Sequence, residues 1–475
     1  MQIKQLIGSS DVQIQDIVFD SRKVGKDSLF VAQIGTVADG HEFIDIAIQK
    51  GSTAVVCERM PEQISDTVCY IQVENSNLAL GLLAADFFDH PSEKLKLVGV
   101  TGTNGKTTIV TLLYRLFTEL GYKAGLLSTI ENMVDEKRIE ATHTTPDAIQ
   151  INQTIQLMVE AGVEYCFMEV SSHAAHQDRI SGLHFSGGVF TNLSHDHLDY
   201  HSTFDEYLSA KKKFFDQLPL GSFALSNTDD KRGQVMLQNT KADKFTYGLR
   251  GIAEFNTKII SNQFDGLELE IEKQPVWFKL IGKFNAYNIL AVYATAVLLG
   301  EDKLNVLTLM SNMPSAEGRF EQLKSKNNIS VILDYAHTPD ALDNVLKTIA
   351  TIRTGNEQII TIIGTGGNRD KLKRPIMTQI ACDNSDRVIL TSDNPRYEDP
   401  DEIIEDMKAG LNATQIRKVL SITKREEAIK TAITIAQSGD IVLLAGKGHE
   451  KYQVIKGENL PFDEKEIVKQ YLMNL

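Results

Sequence analysis

The chain has 475 residues, 42% of them hydrophobic and 24% charged, with a formal net charge of −14. That length allows roughly two to four domains, each long enough to bury its own core. The acidic balance argues against a broad nucleic-acid surface, which needs clustered Lys and Arg, but leaves room for local phosphate pockets.

The four cysteines, Cys57, Cys69, Cys166 and Cys382, are widely spaced and form no CxxC pair. A disulfide framework or a structural zinc site is therefore not expected. Cys166 lies in an apolar run and reads as a small core residue. Met1-Gln-Ile-Lys has no basic stretch followed by an apolar one. No apolar run approaches ~20 residues, so neither a signal peptide nor a membrane helix is expected. The reading is a reduced, soluble, cytoplasmic chain with no nucleic-acid or membrane partner.

In chain order, Phe30-Val31-Ala32 and Thr53–Cys57 read as buried strands in a small mixed region. His90-Pro91-Ser92-Glu93-Lys94 reads as a linker. A β-rich run from Leu95 to Thr101 is followed by a Gly-rich turn and a helical pattern. Ile109, Leu112, Leu113, Leu116, Phe117 and Leu120 share one face, and Gly121 sits where a C-cap glycine would. Strands follow at 164–170 and 188–193, and the region from 220 to 281 reads as a small antiparallel extension. Residues 285–299 return to helix. From 318 onward, strands at 330–333, 358–363, 387–391 and 440–445 alternate with helices, the pattern of a parallel sheet with crossover helices. The expected fold class is α/β, in three domains spanning 1–91, 92–317 and 318–475.

Thr101-Gly-Thr-Asn-Gly-Lys-Thr-Thr108 joins the strand to the helix. Glycines let the backbone wrap phosphate while N–H groups and the helix N-terminus face its charge. Lys106 is placed to reach outer phosphates, and the Thr107 hydroxyl suits Mg²⁺. A strict Walker A loop needs its first glycine at Val100, whereas the glycines here are 99 and 102. A plain Gly-rich turn is the bland alternative.

Glu169 ends an apolar strand, a good position for a Mg²⁺ ligand beside a phosphate loop. The next strand runs into Thr191-Asn-Leu-Ser-His195-Asp-His197-Leu-Asp199-Tyr-His201. Its His and Asp density also suggests a zinc hydrolase, but Tyr200 breaks the spacing such a site needs. Further on, Phe204, Tyr207, Leu208, Phe215 and Leu218 form one helical face that carries Lys211. That lysine is either a snorkelling one or a functional amine in a partly buried site.

Taken in order, these segments resemble the Mur ligase family over nearly the whole chain. The resemblance rests on Gly102–Thr108, Glu169-Val-Ser-Ser-His173, Asp196-His-Leu-Asp199 and Ala210-Lys211. It continues through Gly282-Lys-Phe-Asn285-Ala-Tyr-Asn288, Glu317-Gly-Arg319 and Asp334-Tyr-Ala-His337-Thr-Pro-Asp340. Asp20-Ser21-Arg22-Lys-Val24, Leu29–Ala32 and Asp39-Gly-His41 resemble the family's uridine-nucleotide domain.

The resemblance implies a small uridine-nucleotide domain, a central P-loop-type ATPase domain and a C-terminal Rossmann-like domain that binds an amino acid. It implies an ATP-dependent ligase that forms an acyl phosphate on a substrate carboxylate, which an amine then attacks. Lys106, Glu169, His197 and Lys211 are the implied catalytic group. Thr107, Glu169, His197 and Lys211, the last carbamylated by CO₂, are the implied Mg²⁺ ligands. For ATP it implies Gly102, Thr103, Asn104, Gly105, Lys106, Thr107 and Thr108, then Asn285, Arg319 and Asp334 toward adenine, phosphate and ribose, with Asn288 and His337 alongside. For a UDP-muramoyl peptide it implies Ser21, Thr144, Thr145, Ser172, Gln177 and Arg179. Thr144-Thr145-Pro146 also reads as an ordinary turn, and Arg179 as an exposed helix-end cation.

Asp393-Asn394-Pro395-Arg396 resembles the signature of the members that take meso-diaminopimelate. Its distal carboxylate, absent from lysine, is what a guanidinium grips with two parallel hydrogen bonds. Arg369 resembles a second contact, and Gly446 and Glu450 resemble contacts to the distal head group. The implied reaction adds meso-diaminopimelate to UDP-N-acetylmuramoyl-L-alanyl-D-glutamate, with L-lysine or another diamino acid as the alternative amine. A folylpolyglutamate synthetase, a D-alanyl-D-alanine-adding ligase and a non-enzymatic nucleotide switch are the rival readings. Thr365 and Asn368 stand where the family usually has Cys and Asp, and His195 stands where it often has Arg. A monomer is expected.

Overall fold

The computed structural model describes residues 3–8, 11–35, 38–139, 144–194, 200–201 and 203–473. Three sheets organise it, with a separate two-stranded hairpin at Tyr452–Ile455 and Glu458–Pro461.

The first sheet has five strands in the order Ile3–Ile7, Cys69–Val73, Ser52–Cys57, Ser28–Val31, Asp16–Val18. Only the Ile3–Ile7 pairing is antiparallel. Phe30, Val31, Val55 and Val56 are fully buried, so both faces of this small sheet are covered. The helix Ser76–Phe87 closes one face and is capped by Asn75 Oδ1, which accepts from Leu78 N at 2.9 Å. That helix also meets the next sheet's body. A Cβ at Gly81 would lie 2.7 Å from the Ser181 carbonyl, so only glycine permits this approach.

The second sheet has eleven strands. At its centre Lys96–Thr101 lies between Tyr165–Glu169 and Gly187–Phe190, all parallel. Glu169 pairs with Val100 and Phe190 with Thr101, so the strands' C-terminal ends lie level. Between their ends these strands are apolar because helices cover both faces. On one side Phe117, from the helix Lys106–Glu119, packs on Tyr165 and Phe167 with ring centroids 4.5 and 4.9 Å apart. That helix ends as its sequence indicates, with Gly121 at φ +96° and Tyr122 N donating to Phe117 O at 3.0 Å.

The region from 220 to 281 departs from expectation. Phe223–Asn227 and Asp243–Gly248 extend the parallel sheet, and antiparallel pairing begins only where Phe255–Gln263, Gly266–Ile271 and Gln274–Phe278 meet. Phe223–Asn227 is buried at all five positions, so it carries no alternation that would have shown its place.

The third sheet has six strands, with Ile441–Ala445 inserted between Ser330–Asp334 and Ile359–Ile363. All pairings are parallel except that of the edge strand Glu321–Lys324. The chain enters this sheet over a segment gripped by the phosphate-loop helix: Arg115 Nη1 donates to Pro314 O and Ser315 O at 3.0 and 3.1 Å. The four cysteines are buried free thiols. Among the described residues no helix is long and apolar enough to cross a membrane.

Candidate active site

A cavity of about 1390 Å³ opens between the C-terminal ends of the second and third sheets. This is where open α/β sheets place ligands. Its floor is the phosphate turn. Gly102 and Gly105 have φ of +148° and +92°, and added Cβ atoms would lie 1.9 Å from Thr191 Oγ1 and 2.6 Å from Asn288 Oδ1. The turn is tied to the neighbouring strand's end: Thr191 Oγ1 and Asn192 Nδ2 donate to Asn104 O at 2.7 and 3.0 Å, and Asn104 N donates to Asn192 Oδ1 at 3.0 Å. Thr103 Oγ1 lies 3.0 Å from the Tyr207 hydroxyl. Lys106 Nζ donates to Gly102 O and Thr103 O at 3.0 and 2.8 Å. Thr107 and Thr108 open the helix behind the turn. Thr103 through Thr108 line the cavity, while Gly102 lies beneath it as a spacer.

Glu169 is fully buried at the end of its strand. Its Oε1 accepts from Thr129 N at 2.8 Å, while Oε2 is buried with no hydrogen-bond partner among the described residues. An unpaired carboxylate oxygen beside a phosphate turn is costly unless a cation or a donor meets it, so Glu169 fits a hard metal ion. Lys211 is 1% exposed. Its Nζ donates to Gly102 O at 2.8 Å and lies 4.6 Å from the centre of the Tyr207 ring. A carbamylated Nζ keeps one N–H, so that hydrogen bond is compatible with the modification. His197 and His195 lie outside the described residues. Among the described residues no group of three His, Cys, Asp or Glu side chains forms a metal cluster.

The third sheet supplies the opposite wall. Arg319 Nη2 donates to Thr107 Oγ1 at 3.0 Å, the direct link between this wall and the phosphate turn. Its guanidinium stacks on Tyr335 at 4.5 Å. The two Asp334 oxygens accept from Phe320 N and Ala336 N at 2.7 and 2.8 Å, so the carboxylate braces the loop that carries Arg319. Burial pushes its pKa up to about 6, against the pull of Arg319 and those two N–H groups. His337 and Asn288 line the cavity, whereas Asn285 lies behind it, taking Asn288 Nδ2 on its Oδ1 at 2.9 Å and donating to Ile281 O at 2.8 Å.

Thr144, Thr145, Ser172 and Arg179 line the cavity beside Glu169. Thr145 Oγ1 donates to Glu169 O at 2.8 Å, and Arg179 Nη1 donates to Thr145 O at 2.9 Å. Gln177 does not reach the cavity. Its Oε1 accepts Arg179 Nε and Nη2 at 2.9 and 2.6 Å, so it aims the guanidinium. Arg179 is thus a half-buried, held group and not the exposed helix-end cation that a surface reading allows. Ser21 lies away from the cavity, its carbonyl accepting from Lys50 Nζ at 3.0 Å.

At the far end, Arg369, Asp393, Asn394, Arg396, Gly446 and Glu450 converge on the same cavity. Arg396 Nη1 donates to Gly367 O at 2.9 Å. Burial first, and the neighbouring Arg369 charge second, push the Arg396 guanidinium below its usual pKa. Two cations kept this close favour an anionic ligand. Pro395 is buried behind them, and its carbonyl would lie 1.9 Å from a Cβ at Gly367. Asn368, where the family usually has Asp, adopts φ +51° and accepts Tyr397 N on Oδ1 at 3.1 Å, a role either side chain fills. Thr365 Oγ1 is buried with no hydrogen-bond partner among the described residues.

Sequence reading overlooked three buried cations that organise this end. Arg374 is fully buried, with Nη1 3.0 Å from Glu398 Oε2 and 2.7 Å from Asp406 Oδ2. Arg425 is paired with Glu464, and its Nη2 donates to Ala445 O at 2.9 Å. Lys447 meets Glu450 Oε2 at 3.0 Å and Asn394 Oδ1 at 3.1 Å. Burial of a charged residue is invisible to periodicity. The only signal was that Lys447 stands between two residues already singled out.

Comparison with known proteins gives three family matches in chain order. They are "Mur ligase family, catalytic domain" over residues 13–88, "Mur ligase middle domain" over 100–296 and "Mur ligase, glutamate ligase domain" over 318–448. The chain is 59% identical, over 100% of both chains, to the UDP-N-acetylmuramoyl-L-alanyl-D-glutamate–2,6-diaminopimelate ligase of Cytophaga hutchinsonii. It is 54% identical to the Parabacteroides distasonis protein of the same name, over 99% of this chain and 97% of that one. A solved structure of a ligase of that name superposes with a TM-score of 0.69 at 31% identity, covering 98% of this chain and 97% of the other.

The geometry also fixes a pH response. His449 packs against Tyr335 with ring centroids 5.0 Å apart. Burial first, then the charges of Arg319 and Lys447, push its imidazole down to about 3 from the ordinary 6.5. Between those values the unfolded chain binds the proton and the folded chain does not, so this group lowers stability as pH falls below about 6.5. Between pH 7 and pH 5 a His449→Gln variant should lose about 1–2 kcal/mol less stability than the parent, read by urea unfolding at both pH values. Equal losses would contradict this placement of His449.

Proposed function

The chain belongs to the Mur ligase family, and from that premise we propose that it adds meso-2,6-diaminopimelate to the D-glutamate of UDP-N-acetylmuramoyl-L-alanyl-D-glutamate. ATP is converted to ADP and phosphate, and the product is a peptidoglycan precursor. The observation that carries the reading is that one cavity joins a phosphate turn to a pocket holding two guanidiniums at Arg369 and Arg396 and two carboxylates at Asp393 and Glu450. A diamino dicarboxylic acid offers the matching charges. L-Lysine lacks the carboxylate those arginines would bind.

The D-glutamate carboxylate takes the terminal phosphoryl group of ATP to give an acyl phosphate. The amine of diaminopimelate attacks the acyl carbon, and inorganic phosphate leaves with the C–O electron pair. The N–H groups from Gly105 to Thr108 at the helix N-terminus hold the ATP phosphates, while Thr103 N and Asn104 N tie the turn to Asn192. Lys106 and Arg319 neutralise charge on the transferring group. Asn285 acts on the adenine side from behind Asn288, whose carboxamide it holds, and Asp334 lies toward ribose with His337 alongside. Thr144, Thr145, Ser172 and Arg179 hold the muramoyl peptide, with Gln177 orienting Arg179 and Ser21 on the uridine side. Thr107, Glu169, His197 and a carbamylated Lys211 would hold Mg²⁺, which supplies electrostatic stabilisation of the phosphoryl transfer. Gly446 and Glu450 receive the distal amino-acid head group, and Asp393, Asn394 and Pro395 frame the turn that presents Arg396. The three working units divide near residues 91 and 317, the enzyme acts in the cytoplasm, and it acts as a monomer.

Phosphate release from ATP should require both the UDP-linked dipeptide and diaminopimelate. Release that needs neither would return the chain to the class of nucleotide switches. Arg396→Lys loses the two-pronged contact and should raise KM for diaminopimelate by about tenfold or more, since a charge-assisted hydrogen bond contributes roughly 1.5–3 kcal/mol. An unchanged KM would remove Arg396 from the pocket.

A further inference from the structure

We infer that Lys447 is a positioning residue that sets the polarity of the amino-acid pocket, turning an Asn394 N–H and a Glu450 oxygen toward the carboxylate and ammonium of the distal head group. The inference rests on the pocket assigned above.

Lys447 is 0% exposed and does not line the cavity. It stands in the turn after the strand Ile441–Ala445, with Nζ 3.0 Å from Glu450 Oε2, 3.1 Å from Asn394 Oδ1 and 3.7 Å from Asp393 Oδ1. A buried ammonium is tolerated only when paired in this way. The pairing has a directional consequence. Asn394 Oδ1 accepts from Lys447 and also from Val454 N at 2.9 Å, so a flipped carboxamide would set its NH₂ against two donors. The orientation is therefore forced.

With that orientation, Nδ2 donates one hydrogen to Glu450 Oε2 at 2.8 Å. Its second hydrogen has no acceptor among the described residues. Glu450 Oε2 receives both Asn394 and Lys447, which leaves Oε1 available too. Both side chains line the cavity. One offered N–H and one offered carboxylate oxygen, side by side, are complementary to a zwitterionic amino-acid head group. Without the lysine the carboxamide oxygen keeps a single backbone donor, and Glu450 loses its ion pair at 3.0 Å. Lys447 thus acts through its neighbours and touches no substrate.

The test is steady-state kinetics of the full-length enzyme carrying Lys447→Met, with thermal unfolding recorded alongside. The expected result is a rise in KM for meso-diaminopimelate of about tenfold or more, with KM for ATP within about twofold. Lys447→Gln, which keeps an N–H donor on this face but is too short to reach both partners, should show the same direction and carries the test if the Met variant does not fold. A lysine that only stabilised the fold would lower the unfolding midpoint and leave KM for diaminopimelate within about twofold, and that result overturns the inference. Arg396→Lys separates the two levels. If it raises KM while the Lys447 variants do not, only the role of Lys447 is lost; if none of them does, the pocket itself is misassigned.

Discussion

The contact on which the rest of this site depends is the bare-backbone approach of the phosphate turn to its neighbours. A side chain at Gly102 would collide with Thr191, and one at Gly105 with Asn288. Because neither exists, the turn nests between the end of the Gly187–Phe190 strand and the start of the helix Lys283–Leu298. Thr103 N and Asn104 N hold it to Asn192, and the Lys106–Glu119 helix N-terminus then faces the cavity. Glu169 falls beside it because its strand is in register with Lys96–Thr101. Lys211 reaches the same turn from the opposite helix through Gly102 O. Arg319 completes the arrangement from the third sheet by holding Thr107.

One helix therefore touches both ends of the linker into the third sheet. Arg115 holds the carbonyls of Pro314 and Ser315, and Thr107, two turns away, accepts from Arg319. The other side of the linker meets the amino-acid pocket: a Cβ at Gly318 would lie 2.2 Å from His449 N. Nucleotide end and amino-acid end are thus joined through a few residues with almost no free volume, where small shifts transmit well because packed contacts do not deform continuously.

Much of this was legible in the sequence. The strand, Gly-turn and helix from Leu95 to Gly121 carry their own C-terminal cap and periodicity, and the strands of the third sheet alternate regularly with helices. The ordered motifs pointed to most of the residues that line the cavity. What stayed hidden has physical causes. Phe223–Asn227 is buried on both faces and so lacks alternation. Gln177 and Asp334 hold other site residues, through Arg179 and through the backbone of Phe320 and Ala336, and only coordinates reveal such supporting bonds. Arg374, Arg425 and Lys447 are fully buried charges whose side-chain partners, Glu450 apart, lie 24 to 54 residues away in sequence. No local pattern announces a pairing across those separations.

The central claim is that the pocket selects a diamino acid by its second carboxylate. The direct measurement is one reaction containing ATP, Mg²⁺ and UDP-N-acetylmuramoyl-L-alanyl-D-glutamate, with equal amounts of meso-diaminopimelate and L-lysine, and the product read by mass. The account predicts the diaminopimelate tripeptide in large excess. A lysine tripeptide in equal or greater amount would contradict it.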